Sequence, residues 1–318
     1  MNLKLVESIA GAVLYEGYLL YPYRPSTIKN RQRFNFGVVY PQSYGLANNE
    51  PWSMQTECLA TGDMQIRIEA RVRFLHLLSR DHSDGGVGWQ EAVEREVITP
   101  EIGPGIGIQV PFEFPREVKS ENGVARRQEK VDGLIEIAAE PVGERLSRLT
   151  VRIMNQTPFE LATENDMQAC NDETRNEARA EMMLRSLVST HTILIIREGE
   201  FVSLLDPPDE WREAATACHN IGTYPVLVGE EGDRDCLLSS PIILYDYPQI
   251  APESAGDLFD GTEIDEILTL RILTLTDEEK REMRECDEWA RQILDRSEML
   301  TAEQLLKMHG TLRGGEHE

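Results

Sequence analysis

The side chains best suited to chemistry lie in three places. Cys218 and His219 are adjacent, Cys236 follows at a distance, and His191 lies upstream. Thiolate sulfur and imidazole nitrogen are zinc ligands, so Cys218, His219 and Cys236 are candidates for a mixed metal site. Structural zinc sites draw their ligands in close pairs such as CxxC. No such pair occurs here, and the competing reading is of buried thiols. Cys218 and His219 are also candidates for a nucleophile and its base, as in a hydrolase-type enzyme, although neighbours on a strand point to opposite faces. In LFDGTEIDEILTL, residues 258 to 270, Asp260, Glu263, Asp265 and Glu266 cluster. Paired carboxylates serve acid-base work or bind a hard cation, and equally mark a solvated face or a helix start. GPGIGIQ at 103 to 109 lacks the GxGxxG spacing of a dinucleotide turn and runs into a strand pattern, so no nucleotide cofactor is expected.

A fourth stretch is suited to contact rather than reaction. From Gly17 to Asn49 there is no Asp or Glu, in a chain of net charge -24. Tyr18, Tyr21, Tyr23, Arg24, Lys29, Arg31 and Arg33 fall within it. Tyr and Arg are enriched at interfaces because each offers large area and directed hydrogen bonds, so these seven residues are the expected partner-binding surface. Pro22 and Pro25 fix a non-helical backbone that presents them at little ordering cost. The competing reading buries the tyrosines and pairs Arg24 within its own chain.

The elements that must position these groups are mostly strands. Ile66, Ile68, Ala70, Val72 and Phe74 alternate with Gln65, Arg67, Glu69, Arg71 and Arg73, a period of two that predicts a strand with one face in the core. Residues 105 to 115 alternate likewise, and 131 to 158 read as two strands about a turn near Gly143. HTILIIREGEFVSLL, 191 to 205, predicts a tight hairpin at Glu198 and Gly199, with Gly at positive φ. PVLVG at 225 to 229 and SPIILYDYP at 240 to 248 predict two short strands. The apolar residues Leu3, Leu5, Ile9, Val13 and Leu14 fit helix or strand. Residues 173 to 191 predict a helix with Ala178, Met182, Leu184 and Leu187 on its apolar stripe. Thr276 and Glu279 form a capping box ahead of Met283, Cys286, Trp289, Ala290, Ile293 and Leu294, and Thr301 with Gln304 repeats it.

These elements predict an α+β, β-rich fold, with an antiparallel two-sheet sandwich-like core, a crossing helix and C-terminal helices. The expected division is a β-rich main domain over 1–275 and a helical extension packed on it over 276–318. With 56 acidic against 32 basic residues, most of the surface repels phosphate and anionic lipid, so neither nucleic acid nor membrane is an expected partner. The start of the chain is broken by Glu7 and Glu16 and lacks the pattern of an export signal. No apolar run approaches the roughly 18 residues of a membrane span. Five well-separated cysteines fit reduced thiols, so a cytoplasmic location is expected.

YEGYLLYPYRPSTIKNRQRFNFGVVYP, SSPIILYDYPQIAPESAGDLFDGTEIDEILTLRILTLTDEEK and the intervening FVSLLDPP and GTYPVLVG resemble a family of uncharacterised proteins encoded beside nickel-iron hydrogenase genes. The resemblance touches both ends and much of the middle. It implies an accessory role in hydrogenase assembly or maturation, with a hydrogenase subunit or maturation factor as protein partner. It supplies no catalytic residues.

Overall fold

The computed structural model describes residues 3–15, 37–82, 89–121, 124–160, 172–249 and scattered positions between 275 and 299. The chain divides into two compact units, Met1–Leu14 with Asn35–Pro248, and Tyr15–Phe34 with Gln249–Glu318. This division differs from the expected 275/276 boundary. A capping box marks where a helix begins, whereas units are separated where long-range contacts thin out. In the second unit, the described positions between Asp277 and Met299 are helical. Lys280 pairs with Glu298 at 3.1 Å and Arg284 with Asp295 at 3.4 Å.

The first unit is α+β and β-rich, built on one antiparallel sheet of ten strands. Its spine is β1, Ser53–His82. Around it stand β2 (Trp89–Ile98), β3 (Gly107–Phe114), β4 (Glu117–Glu121), β5 (Val124–Gln128), β6 (Val131–Pro141), β7 (Leu146–Asn155), β8 (Val188–Val202), β9 (Tyr224–Leu227) and β10 (Cys236–Ser240). The hydrogen-bonded order is β3-β6-β7-β1-β8-β10-β9, with β2 and β5 on the far half of β1 and β4 on β5. The predicted alternation is visible on β1. Ile66, Ile68, Ala70, Val72 and Phe74 are buried, and the polar residues between them are not. Residues 131 to 158 form β6 and β7 about the Gly143 turn, and the Pro/Gly segment at 103 to 106 leads into β3, as expected.

One continuous sheet supplies both layers of the core. In a flat sheet β3 would lie about 14 Å from β1, three strand spacings away. Instead the Phe74 ring stands 6.0 Å from that of Phe112 and 5.7 Å from that of Phe114. The sheet therefore coils until the far half of β1 faces β3.

Three sequence expectations need correction. No hairpin interrupts 191–205, because β8 runs unbroken and Glu198, not Gly199, takes the positive φ of 57°. The irregularity faces a register shift on β1 between Gly62 and Arg67. Gly199 is required there by close approach, since a Cβ would stand 2.6 Å from Ile66 Cγ2 and 2.8 Å from Thr61 O. The second correction concerns SPIILYDYP. The strand is β10, which ends at Ser240, and 241–249 is irregular. Pro241 cannot donate to a ladder, and the Asp246 carboxylate takes the Leu227 N–H at 2.8 Å. Third, the helix expected over 173–191 stops at Met183, and the β-branched run from Val188 enters β8.

Among the described residues the helices that accompany the sheet are α1 (Leu3–Tyr15), α2 (Gln42–Asn48), α3 (Asp172–Met183) and α4 (Arg212–Thr216). The N-terminal ambiguity resolves as helix. Val6, Ile9, Ala10, Val13 and Leu14 are buried along α1, and the Val13 carbonyl accepts from Ser189 Oγ at 3.2 Å. Among the described residues no helix is long and apolar enough to cross a membrane.

Candidate functional site

Cys218 follows α4, where 217–220 is a turn rather than the strand assumed in setting it against His219. That turn is clasped to β1. Glu57 N–H donates to Asn220 Oδ1 at 2.8 Å, Asn220 Nδ2 donates to Glu57 O at 3.2 Å, and Gln55 and Ile221 exchange backbone bonds. Burial pushes the Cys218 thiol up to about 11, with Glu57 adding to the effect. Cys236 lies within β10, where burial and then Asp235 push its thiol up to about 12. His219 is exposed, and its backbone N–H donates to Glu57 Oε2 at 2.8 Å.

These three residues do not converge. The charges acting on Cys218 are those of Glu57 and Arg148, while Cys236 responds to Asp235, Arg71 and Asp233. Among the described residues no group of three His, Cys, Asp or Glu side chains is placed to hold a metal. The expected metal set of Cys218, His219 and Cys236 is therefore not assembled, because β10 and the α4 turn carry their thiols into different surroundings. As nucleophiles both thiols are also unfavourable, since the thiolate is the reactive form. At pH 7.5 Cys218 should react with iodoacetamide at least about 100-fold more slowly than a free cysteine, from its thiolate fraction alone. Mass spectrometry of the labelled protein measures this, and fast labelling would restore the nucleophile reading. Tyr18, Tyr21, Tyr23, Arg24, Lys29, Arg31 and Arg33 lie outside the described residues, as do Asp260, Glu263, Asp265 and Glu266.

Two arrangements that sequence reasoning missed are present. The first is a groove of about 980 Å³ at one end of the sheet, between the bulge in β1 and β8, the β6–β7 turn and α4. Glu144, Glu198, Glu200, Glu210 and Glu213 line it with Trp211. The lining cation Arg145 is engaged by Asp63 at 3.1 Å. Such a groove attracts cations, and an indole offers its face to Lys or Arg. No local spacing reveals it, because its residues come from four segments between Thr61 and Ala217.

The second is a charged junction where β1, β2, β5 and α3 meet. Glu129, buried just after β5, accepts from Arg127 at 2.5 Å, Arg185 at 3.1 Å and Arg116 at 3.4 Å. Glu181 on α3 also binds Arg127 and Arg185. Burial pushes the Glu129 carboxyl up, but Arg127 and Arg185 outweigh it and hold the group below its ordinary range. Beside them His76 of β1 is fully buried, its ring edge-on to Phe114 at 6.4 Å. Arg95 lies over the same Phe114 ring at 4.8 Å and bonds Gln128 Oε1 at 2.7 Å. Neither ring nitrogen of His76 completes a well-formed hydrogen bond.

No family model matches the chain, and no curated protein is significantly similar to it. The site is therefore read from its own geometry. The thiols are protonated and the junction is closed by ion pairs. The groove is open to a partner.

Proposed function

We propose that this protein is a cytoplasmic accessory protein that works by protein–protein binding, and that its partner is a nickel-iron hydrogenase subunit or maturation factor. The partner class rests on the resemblance of the segments around 15–41 and 239–280. The observation that carries the binding reading is the groove, whose five glutamates around Trp211 suit a basic segment of a partner. Thiols held protonated at Cys218 and Cys236 favour binding over nucleophilic catalysis. The Tyr/Arg strip from Tyr18 to Arg33 offers a second contact surface of opposite charge.

Affinity capture from native lysate, read by mass spectrometry, tests this. Wild-type protein should recover hydrogenase polypeptides. Trp211→Ala should weaken recovery by about tenfold or more, the loss typical of an aromatic anchor. Replacing Arg24, Arg31 and Arg33 with Glu should abolish recovery if the strip is the primary contact, while leaving thermal unfolding unchanged. Capture without any hydrogenase component would end the hydrogenase assignment, and recovery indifferent to both sets of substitutions would end both surfaces.

A further inference from the structure

We propose that the junction between β5 and the C-terminal end of α3 is a proton-operated clasp, which holds α3 on the sheet at neutral pH and releases Glu181–Arg185 on acidification. The inference is independent of the partner assignment.

A buried imidazole adjoins the ion-pair junction. Arg95 faces it from β2, while Arg116 of the β3–β4 link, Arg127 of β5 and Arg185 of the turn after α3 make up the junction. Glu129 and Glu181 answer them, with Glu117 of β4 acting on Arg95. His76 contributes no charge while neutral. Protonated, it becomes a further cation beside Arg95, sealed from water, with the Leu184 and Glu129 carbonyls near the ring but no complete hydrogen bond on either nitrogen. The backbone carbonyls of Leu184 and Glu129 flank the ring, so the stretch that covers His76 is the end of α3 itself. Lifting that stretch hydrates the imidazolium. It also exposes Met182, Met183 and Leu184, all buried in the closed form. Protonation of Glu129 and Glu181 at still lower pH removes the acceptors of Arg127 and Arg185 and drives the same opening.

Burial first, and Arg95 second, lower the His76 pKa to about 4. Against an exposed imidazole near 6.5, the opening constant should rise about 20-fold between pH 7 and pH 5. Hydrogen exchange on the full chain, corrected for the intrinsic pH dependence of exchange, measures it. Peptides over 179–187 should lose protection by that factor and be less protected at every pH than β7 peptides over 146–155. The clasp opens below global unfolding, whose own fall with pH through His76 and His191 the β7 peptides report. His76→Phe should remove the dependence, with His76→Gln as the alternative if the larger ring misfolds. Glu129→Gln should raise opening already at pH 7. Constant protection of 179–187 over this range, protection there equal to that of β7 at every pH, or an unchanged profile in the His76 variant would each overturn the clasp. The comparison of the two wild-type peptides decides it even if no variant folds.

Discussion

Phe74→Ala is expected to cost about 3–5 kcal/mol of folding stability, the range for emptying a buried aromatic site. Phe74 is fully buried on β1, and its ring meets Phe112 at an interplanar angle of 40° and Phe114 at 77°. Tilted and edge-on geometries of this kind favour aromatic pairs beyond the area they bury. The contact is also topological, because β1 and β3 share no backbone ladder and these rings join the two layers of the coiled sheet. Gly133 makes room for the cluster, since a Cβ there would stand 2.1 Å from Phe112 Cζ. The cavity left by alanine cannot be refilled from β6 without moving that strand. Phe74→Leu, which keeps most of the volume, should cost far less, about 1–2 kcal/mol. Urea denaturation of the three proteins measures both values. A loss below about 1 kcal/mol for alanine would mean that the sheet is held closed by something other than this ring cluster.

What the sequence disclosed was local, and what it concealed was long-range. The alternation from Ile66 to Phe74 is legible because each polar neighbour meets solvent at the edge of a half-buried face. The length of β1 is not legible, since Gly62 and Asp63 have the composition of a turn while the chain passes through them as a bulge. Glu198 and Gly199 mislead in the same way on the facing strand. Ser186–Thr192 appears polar enough for a surface, yet all seven residues are buried under the tertiary structure. Glu129 draws partners from positions 116 to 185, a span in which no spacing rule operates. The candidate metal residues stay apart for the complementary reason, in that Cys218 and His219 are neighbours in sequence but Cys236 is not brought to them.

The same buried polar run makes stability depend on pH through His191, by about 2 kcal/mol between pH 7 and pH 5 and about 3 kcal/mol by pH 4. His191 pairs with Arg73 across the β1–β8 ladder and is fully buried. Its Nδ1 stands 3.0 Å from the Ser189 carbonyl, which can only accept, so the neutral ring carries its proton on Nδ1. Nε2 has no partner, and a second proton must enter there without an acceptor. Burial lowers the pKa to about 4; the Ser189 carbonyl pulls the other way, and Arg73 adds a smaller downward push that Glu96 opposes. Because the folded pKa lies below the unfolded value of about 6.5, both states are neutral above that pH and stability is fully present. As pH falls from 6.5 towards 4, the unfolded chain binds a proton that the folded chain excludes, and stability drains away. Below about 4 both are protonated and this contribution stays lost. Urea unfolding of wild type and His191→Gln at pH 7, 6, 5 and 4.5 isolates the effect, because other titrating groups, His76 included, are common to both. The two stability profiles should converge towards acid pH as wild type loses the advantage that His191 confers when neutral. Parallel profiles over that window would show that His191 is hydrated or finds an acceptor in the folded state, and would remove it as a source of acid sensitivity.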